Sequence, residues 1–291
     1  MTFWLGRPGT VLTALPHPGR GIDATLRIES QVKATIGGGQ TVDRAPTGRR
    51  TYELDWRSLS PEQHSIVEEF QLGAKGPGPH VLLDPWRRNH LTTAQSSATS
   101  STNNTTGFSP SASETLASVT APVRRGPRAL AWTIPSSSTA GILTLTPPNG
   151  LTAWPTPALA VWTFTAWLRG DGTDPIVTAG SDIVWLDSAG ATLSTSTGAT
   201  IATSSGAYAQ ISQTATAPAN AVNFQLRIRV TPASIATSTI VYLDQPQLDL
   251  YNGVRAWVLG TGVPLVSVTE AGTSYRKPIK RGASLTLAEV G

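Results

Sequence analysis

Along most of the chain apolar residues recur with a period of two, the repeat of a strand that buries one face. Ala24 to Ile36 alternates with Leu26, Ile28, Val32 and Ile36 apolar, and Arg50 to Trp56 sets Tyr52, Leu54 and Trp56 against Thr51, Glu53 and Asp55. Between them, Gly37 to Gly48 predicts a flexible polar connection. One segment changes period. Ser60 as N-cap, Pro61 at the first helical position and Gln63 closing a capping box predict a helix with Ile66, Val67 and Phe70 on one face, ended by Gly73. Gly76-Pro77-Gly78-Pro79 stops it, and Val81-Leu82-Leu83 starts another strand.

Farther along, short strands are predicted at Ile142 to Leu145, Val161 to Arg169, Ile183 to Leu186, Tyr208 to Ala215, Asn223 to Val230 and Thr239 to Leu250. Their spacing suits an antiparallel sandwich. Val254 to Leu259, Val263 to Val268 and Ser284 to Val290 predict three more. The expected fold class is all-β with one helix.

Charge divides the chain in a way the average conceals. Residues 93–250 hold 13 charges in 158 positions, against 27 in 133 for the two flanks. Thr92 to Ser113 is polar, small and aperiodic, as a linker would be, and Tyr251-Asn252-Gly253 is a turn signal. The last 41 residues are too few to fold alone. The expected organisation is a discontinuous domain, 1–92 with 251–291, a linker at 93–113, and an inserted sandwich at 114–250.

Composition removes several function classes. With no Cys there is no disulfide framework, thiol nucleophile or Cys-ligated metal. No stretch approaches the ~20 apolar residues that span a bilayer, and the N-terminus does not read as a secretion signal. A net charge of +4 over 291 residues is a weak field. The basic pairs Arg49-Arg50, Arg87-Arg88, Arg124-Arg125 and Lys280-Arg281 are scattered. They read as solvated surface or subunit contacts, and neither nucleic acid nor membrane insertion is expected.

Two resemblances become usable on these residues. The strand Arg50 to Trp56, the helix after Ser60, Asp84-Pro-Trp-Arg-Arg-Asn-His-Leu91 and the closing Leu285 to Val290 resemble the hub domain of distal tail (minor tail) proteins of long-tailed bacteriophages. That resemblance implies a tail-tube-like β-sandwich or barrel with one helix, assembled as a ring, a hexamer in that family. Its partners would be the tail tube and the tail-tip hub and other baseplate proteins, and its place the virion after synthesis in the host cytoplasm. Trp162 to Arg169, Val184 to Gly190, Ala215 to Val222 and Ile240 to Leu248, in that order, resemble the galactose-binding-like jelly rolls of carbohydrate-binding modules. The combination implies a structural, non-enzymatic tail-tip protein whose jelly roll touches host cell-wall polysaccharide. Two alternatives stay open: a carbohydrate-binding protein acting on its own, and a glycan-degrading virion enzyme.

Alternation nominates the binding face. Trp162, Phe164, Ala166 and Leu168 point to the core and Trp167 and Arg169 outward; Phe224, Leu226, Ile228 and Val230 point inward and Gln225, Arg227 and Arg229 outward. If the two strands share a sheet, Trp167, Arg169, Gln225, Arg227 and Arg229 make one face with an aromatic platform and forked donors, the composition a sugar ring needs. The competing reading packs Trp167 against a neighbour and leaves the arginines solvated. Related jelly rolls often hold a structural calcium, which implicates Glu114 with Asp244 or Asp249. Seven carboxylates in the whole insert make a poor cage for an ion that wants six to eight oxygens, so no metal site and no cofactor is expected. Catalytic signals are absent: there is no H-E-x-x-H, G-x-S-x-G or phosphate loop. Odd spacing sends Asp182 and Asp187 to opposite faces. For ring assembly, the Gly37 to Gly48 connection is the candidate arm to a neighbouring subunit.

Overall fold

The computed structural model describes residues 2–18, 22–27, 30–34, 40–44, 49–97, 105–136, 138–171, 176–203, 206–232, 237–277 and 280–290. They form two compact units, one of Met1–Arg7, Thr13–Leu83 and Pro264–Gly291, the other of Pro8–Leu12 and Asp84–Val263. In chain order the first unit contributes β1 (Phe3–Gly6), β2 (Thr13–Leu15), β3 (Ile22–Arg27), β4 (Ser30–Ala34), β5 (Gln40–Arg44), β6 (Arg49–Leu59), α1 (Pro61–Gln71) and β7 (His80–Leu83). The second follows with α2 (Thr93–Ser96), β8 (Phe108–Pro110), β9 (Thr115–Val119), β10 (Ala129–Ile134), β11 (Gly141–Leu145), β12 (Trp154–Pro155) and β13 (Val161–Gly170). It continues with β14 (Ile176–Leu186), β15 (Thr192–Thr197), β16 (Ile201–Thr203), β17 (Ala209–Thr216), β18 (Asn223–Pro232) and β19 (Thr239–Asp249). The chain then re-enters the first unit as β20 (Leu265–Lys277) and β21 (Lys280–Glu289). The fold is all-β.

The first unit is a seven-stranded sheet in the order β2-β1-β7-β20-β21-β6-β3, with the C-terminal hairpin seated between N-terminal strands. It curls. Phe3, Leu5 and Leu15 from one end share a core with Tyr52, Leu54 and Trp56 near the other, and the Trp56 indole donates to the Pro16 carbonyl at 2.8 Å. Helix α1 closes this core with Val67 and Phe70. Its capping box is formed, since Ser60 Oγ accepts from the Gln63 amide and Gln63 Oε1 accepts from the Ser60 amide. Gly73 follows the helix at φ +70°, a conformation glycine adopts without a Cβ penalty. The fully buried stripe of the helix is His64, Val67 and Phe70, with Ile66 only half-buried.

Two expectations for this unit need correction. The strand expected over Ala24 to Ile36 is two strands, β3 and β4, and β4 leaves the large sheet to pair with β5. Part of the expected flexible connection is therefore a strand. Thr41 and Val42 favour extended backbone there; residues 37–39 and 45–48 of that connection, and residues 28–29 and 35–36 of the expected strand, lie outside the described residues.

The second unit is an antiparallel jelly-roll sandwich. A five-stranded sheet runs β17-β13-β19-β10-β9, and a seven-stranded sheet runs β15-β14-β18-β11-β8, with β12 and β16 pairing β18 and β14. The core between the sheets is aromatic: Trp162 lies 5.0 Å and Trp185 5.5 Å from Phe224, ring centre to ring centre. The four indole N–H groups of this core find acceptors, Trp132 on Glu114 Oε2, Trp154 on the Leu145 carbonyl, Trp162 on Thr156 Oγ1 and Trp185 on Ser196 Oγ. That satisfaction is what lets four tryptophans be buried without a desolvation penalty.

This unit starts and ends farther out than the expected insert. Asn89 Nδ2 donates to the carbonyl of Val258, the Gly262 amide to that of Leu91, and the Gly260 amide to Ser96 Oγ, so residues 84–97 and 254–263 run together. Val254 to Leu259 is not a strand, and the expected linker contains α2 and β8. Strands β9, β10 and β15 are further elements of the sandwich.

Candidate functional site

The structure separates the expected binding face. Strand β13 belongs to the five-stranded sheet and β18 to the seven-stranded one. Their apolar faces oppose each other across the core, as the Trp162–Phe224 contact shows. Residues that point away from that core therefore emerge on opposite sides of a sandwich whose sheets pack ~10 Å apart. Trp167 and Arg169 lie on one side, Gln225, Arg227 and Arg229 on the other, and the five do not form one face. On the second side Arg227 Nη2 donates to Gln225 Oε1 at 2.8 Å, and Arg229 Nε pairs with Asp182 Oδ2 at 2.5 Å. These are short in-plane partnerships on the sheet surface.

On the first side Trp167 sits in a cleft of about 370 Å³. Its floor is the outer face of the five-stranded sheet: Thr165 and Trp167 from β13, Gln210 from β17 and Gln245 from β19. Trp167 is registered against Gln210 on one side and Asp244 on the other, with a bulge between Thr165 and Trp167. Gln245 occupies that bulge at φ +50°, an unusual conformation for a residue with a side chain. Pro246, which cannot donate to a ladder, lies at this irregularity, and Gln245 lines the cleft.

The walls come from two loops. Arg124 and Arg125 precede β10, and their backbone amides donate to Asp244 Oδ2 at 2.7 and 3.0 Å. Val254, Arg255, Ala256 and Trp257 come from the segment after β19. Thr163 Oγ1 anchors that segment, donating to the Tyr251 carbonyl and accepting from the Gly253 amide. The Arg124 guanidinium lies 3.5 Å from the centre of the Trp167 ring and donates to Gln245 Oε1. Arg125 lies 5.6 Å above Trp257, and Arg255 stacks at 4.1 Å on Tyr251 while pairing with Asp249 at 3.4 Å. Burial pushes the carboxyls of Asp244 and Asp249 above the usual range, and the N–H donors pull each back. Trp167 is thus not a bare platform. One face of its indole carries a guanidinium plane, and a ligand meets a stacked Arg–Trp pair, with Trp257 as a second aromatic.

Arg169 lies on the same face as Trp167, registered with Tyr242, but does not line the cleft. The residues missed in the sequence are Arg124, Arg125, Gln210, Gln245, Arg255 and Trp257. Arg124-Arg125 read as a scattered basic pair, and reading Val254 to Leu259 as a strand of the other domain removed Trp257 from consideration.

The other candidates have local partners. Glu114 accepts from the Trp132 indole at 2.8 Å and from the amides of Ser111 and Ile142 at 3.0 and 3.3 Å. With Asp244 and Asp249 also engaged by N–H donors, these carboxylates do not converge, and no group of three potential metal ligands occurs among the described residues. Asp187 organises a turn, accepting from the amides of Ala189 and Ala191. His90, which the sequence put in the first domain, is buried in the second unit edge-on to Trp162 at 5.2 Å. Burial pushes its pKa down to about 3, with Arg87 adding to the effect. Its Nδ1 donates to the Leu248 carbonyl. No helix among the described residues is long and apolar enough to cross a membrane.

No protein-family model matches the chain, and no curated protein matches it in sequence. Solved structures similar to part of it include the CBM22-1–GH10 modules of Clostridium thermocellum endo-1,4-β-D-xylanase 10B complexed with xylohexaose, at 18% identity and TM-score 0.43, over 59% of this chain and 30% of that one. The CBM22-1 xylan-binding domain of Paenibacillus barcinonensis Xyn10C is similar at 14% identity and TM-score 0.40, over 52% of this chain and 90% of that one. The enzymatically active domain of bacteriophage CBA120 tailspike protein 4 is similar at 11% identity and TM-score 0.40, over 58% and 22%. The matched segment is thus less than a third of the xylanase and tailspike chains. The structural neighbours are carbohydrate-binding jelly rolls and a phage tailspike domain, each similar to this chain only in part.

Proposed function

We propose that the chain is a glycan-binding structural protein of a bacteriophage tail tip, with carbohydrate held in the Trp167–Trp257 cleft. The observation that carries the binding reading is the cleft itself. Trp257 and the Arg124-capped Trp167 supply the flat surfaces, and Arg124, Arg125, Gln210, Gln245 and Arg255 supply planar donors, with the Gln amides adding acceptors. Its volume is in the range of small-ligand sites. Aromatic faces meet the C–H face of a pyranose while forked donors meet its hydroxyls. No catalytic step is assigned, because Asp182 is held by Arg229 and Asp187 by its turn.

The tail-tip part rests on the sequence resemblance and on one feature of the first unit. The order β2-β1-β7-β20-β21-β6-β3 leaves β2 and β3 as edge strands with no second partner among the described residues. Unpaired strand edges are where another copy can add. The test is a pull-down of the intact chain on host cell walls beside sizing of the same preparation. Retention that is lost in Trp257→Ala supports the binding reading, and an oligomer, a hexamer by resemblance, supports the ring. No retention at millimolar glycan rejects the former, and a monomer alone and with its tail partners rejects the latter.

A further inference from the structure

We infer that the cleft selects acidic glycans, polymers whose sugar or polyol units carry carboxylate or phosphate. The inference rests on the binding reading above and concerns charge. Three guanidiniums line the cleft, those of Arg124, Arg125 and Arg255, and no carboxylate does. Asp244 and Asp249 are both buried, and among the described residues neither makes a side-chain ion pair with Arg124 or Arg125, although Asp244 is close enough to feel the Arg124 charge. Asp244 takes the backbone amides of that pair, and Asp249 is spent on Arg255.

Among the described residues the Arg124 guanidinium is held by an aromatic ring and a neutral amide, and that of Arg125 lies over an aromatic ring. Such contacts orient a guanidinium without quenching its charge. Two oriented guanidiniums over the single buried carboxylate of Asp244 leave a net positive charge in a concave site, which focuses a positive potential, and the guanidinium fork matches carboxylate and phosphate oxygens two at a time. Arg255 Nη2 and Trp257 Nε1 are buried donors without a partner among the described residues. A neutral sugar gains little from this arrangement, because its hydroxyls do not compensate the desolvation of two cations. An anionic unit does, and the aromatic surfaces of Trp167 and Trp257 restrict the choice to anions on a ring or polyol rather than a free ion.

The experiment is calorimetric titration of the intact chain with four probes: oligogalacturonate, poly(glycerol phosphate), neutral xylohexaose and a single-stranded oligonucleotide of similar charge. At least one of the two acidic carbohydrates is expected to bind about tenfold or more tighter than xylohexaose, and to weaken as salt rises through the range where the Debye length falls below ~10 Å. Which acidic probe binds tells carboxylate from phosphate recognition. The double substitution Arg124→Gln with Arg125→Gln is expected to remove the preference. It leaves the loop anchored, because Asp244 holds backbone amides that both glutamines retain, and an unchanged melting temperature checks that. Xylohexaose binding as tightly as the acidic probes overturns the charge inference while leaving glycan binding intact. Equal binding of the oligonucleotide overturns it as well, since the site would then read charge alone. Silence from all four probes overturns the binding reading itself.

Discussion

Glu114 ties the two sheets of the sandwich together, and removing it has a calculable cost. Its Oε2 accepts from the Trp132 indole in the five-stranded sheet at 2.8 Å and from the Ser111 amide at 3.0 Å, and its Oε1 accepts from the Ile142 amide in the seven-stranded sheet at 3.3 Å. Glu114→Ala takes the carboxylate from the Trp132 and Ile142 donors, while the Ser111 amide keeps the Ile142 carbonyl at 3.0 Å. A buried unsatisfied donor costs about 1–3 kcal/mol. The Trp132 side chain is fully buried and bears the full penalty, while the Ile142 amide is only partly buried and recovers part of its own from water. A total of about 3 kcal/mol follows, which for a unit of this size lowers the melting temperature by about 6–12 °C. Glu114→Gln keeps one acceptor oxygen and turns an amide donor against the remaining N–H groups, so about half that loss is expected. Differential scanning calorimetry of both variants, each with millimolar calcium and with chelator, is the assay. Neither addition is expected to move any transition, since N–H donors occupy the carboxylate. A Glu114→Ala variant that melts with the parent, or a calcium-dependent rise in the parent that the variant lacks, would refute this reasoning and return Glu114 to the role of metal ligand.

Three further outcomes are expected. Folded His90 stays neutral down to about pH 3 whereas the unfolded residue takes its proton near 6.5, so the unfolded state binds more protons between those values and stability falls as pH drops, by about 1.4 kcal/mol per unit; His90→Phe should flatten the acid limb of a denaturation series by that slope, and an unchanged slope counts against the buried neutral ring. A Cβ built at Gly260 would stand 2.1 Å from the Leu91 carbonyl oxygen, so Gly260→Ala should cost about 1–3 kcal/mol in urea unfolding, and a neutral result would mean that residues 84–97 and 254–263 are not packed as described. Deleting residues 38–47, which removes β5, should weaken ring assembly as read by sizing; unchanged stoichiometry would make that segment dispensable.

The fold was legible wherever a local rule acts alone. The S-x-x-Q box set the start of α1, and two-residue alternation located β6, β13, β17, β18 and β19 within a few positions. Long-range pairing was not legible. Alternation tells which side chains of β13 and β18 share a direction relative to the core, but it is blind to whether two strands lie side by side or face to face. Trp167 and Arg227 are both outward, and only the sheet order shows that they are outward in opposite directions. The cleft was hidden for a related reason. Trp257 and Arg255 sit on a segment outside the sheets whose alternation mimics a strand, and the charge break near residue 250 assigned them to the wrong unit. Two signals were present in the sequence, the Arg124-Arg125 pair and Pro246 inside a long strand, but neither says what it faces until the bulge at Gln245 and the loop before β10 are seen together.

The most direct measurement of the central claim compares two substitutions on opposite sides of the sandwich. Calorimetric titration of host-wall glycan fragments into the intact chain, its Trp257→Ala variant and its Arg227→Gln variant asks which face binds. The account predicts that Trp257→Ala weakens binding about tenfold or more, as expected for an aromatic anchor in a small site, while Arg227→Gln binds as the parent does. Loss of binding in Arg227→Gln with Trp257→Ala unaffected would contradict it and place the glycan on the seven-stranded sheet.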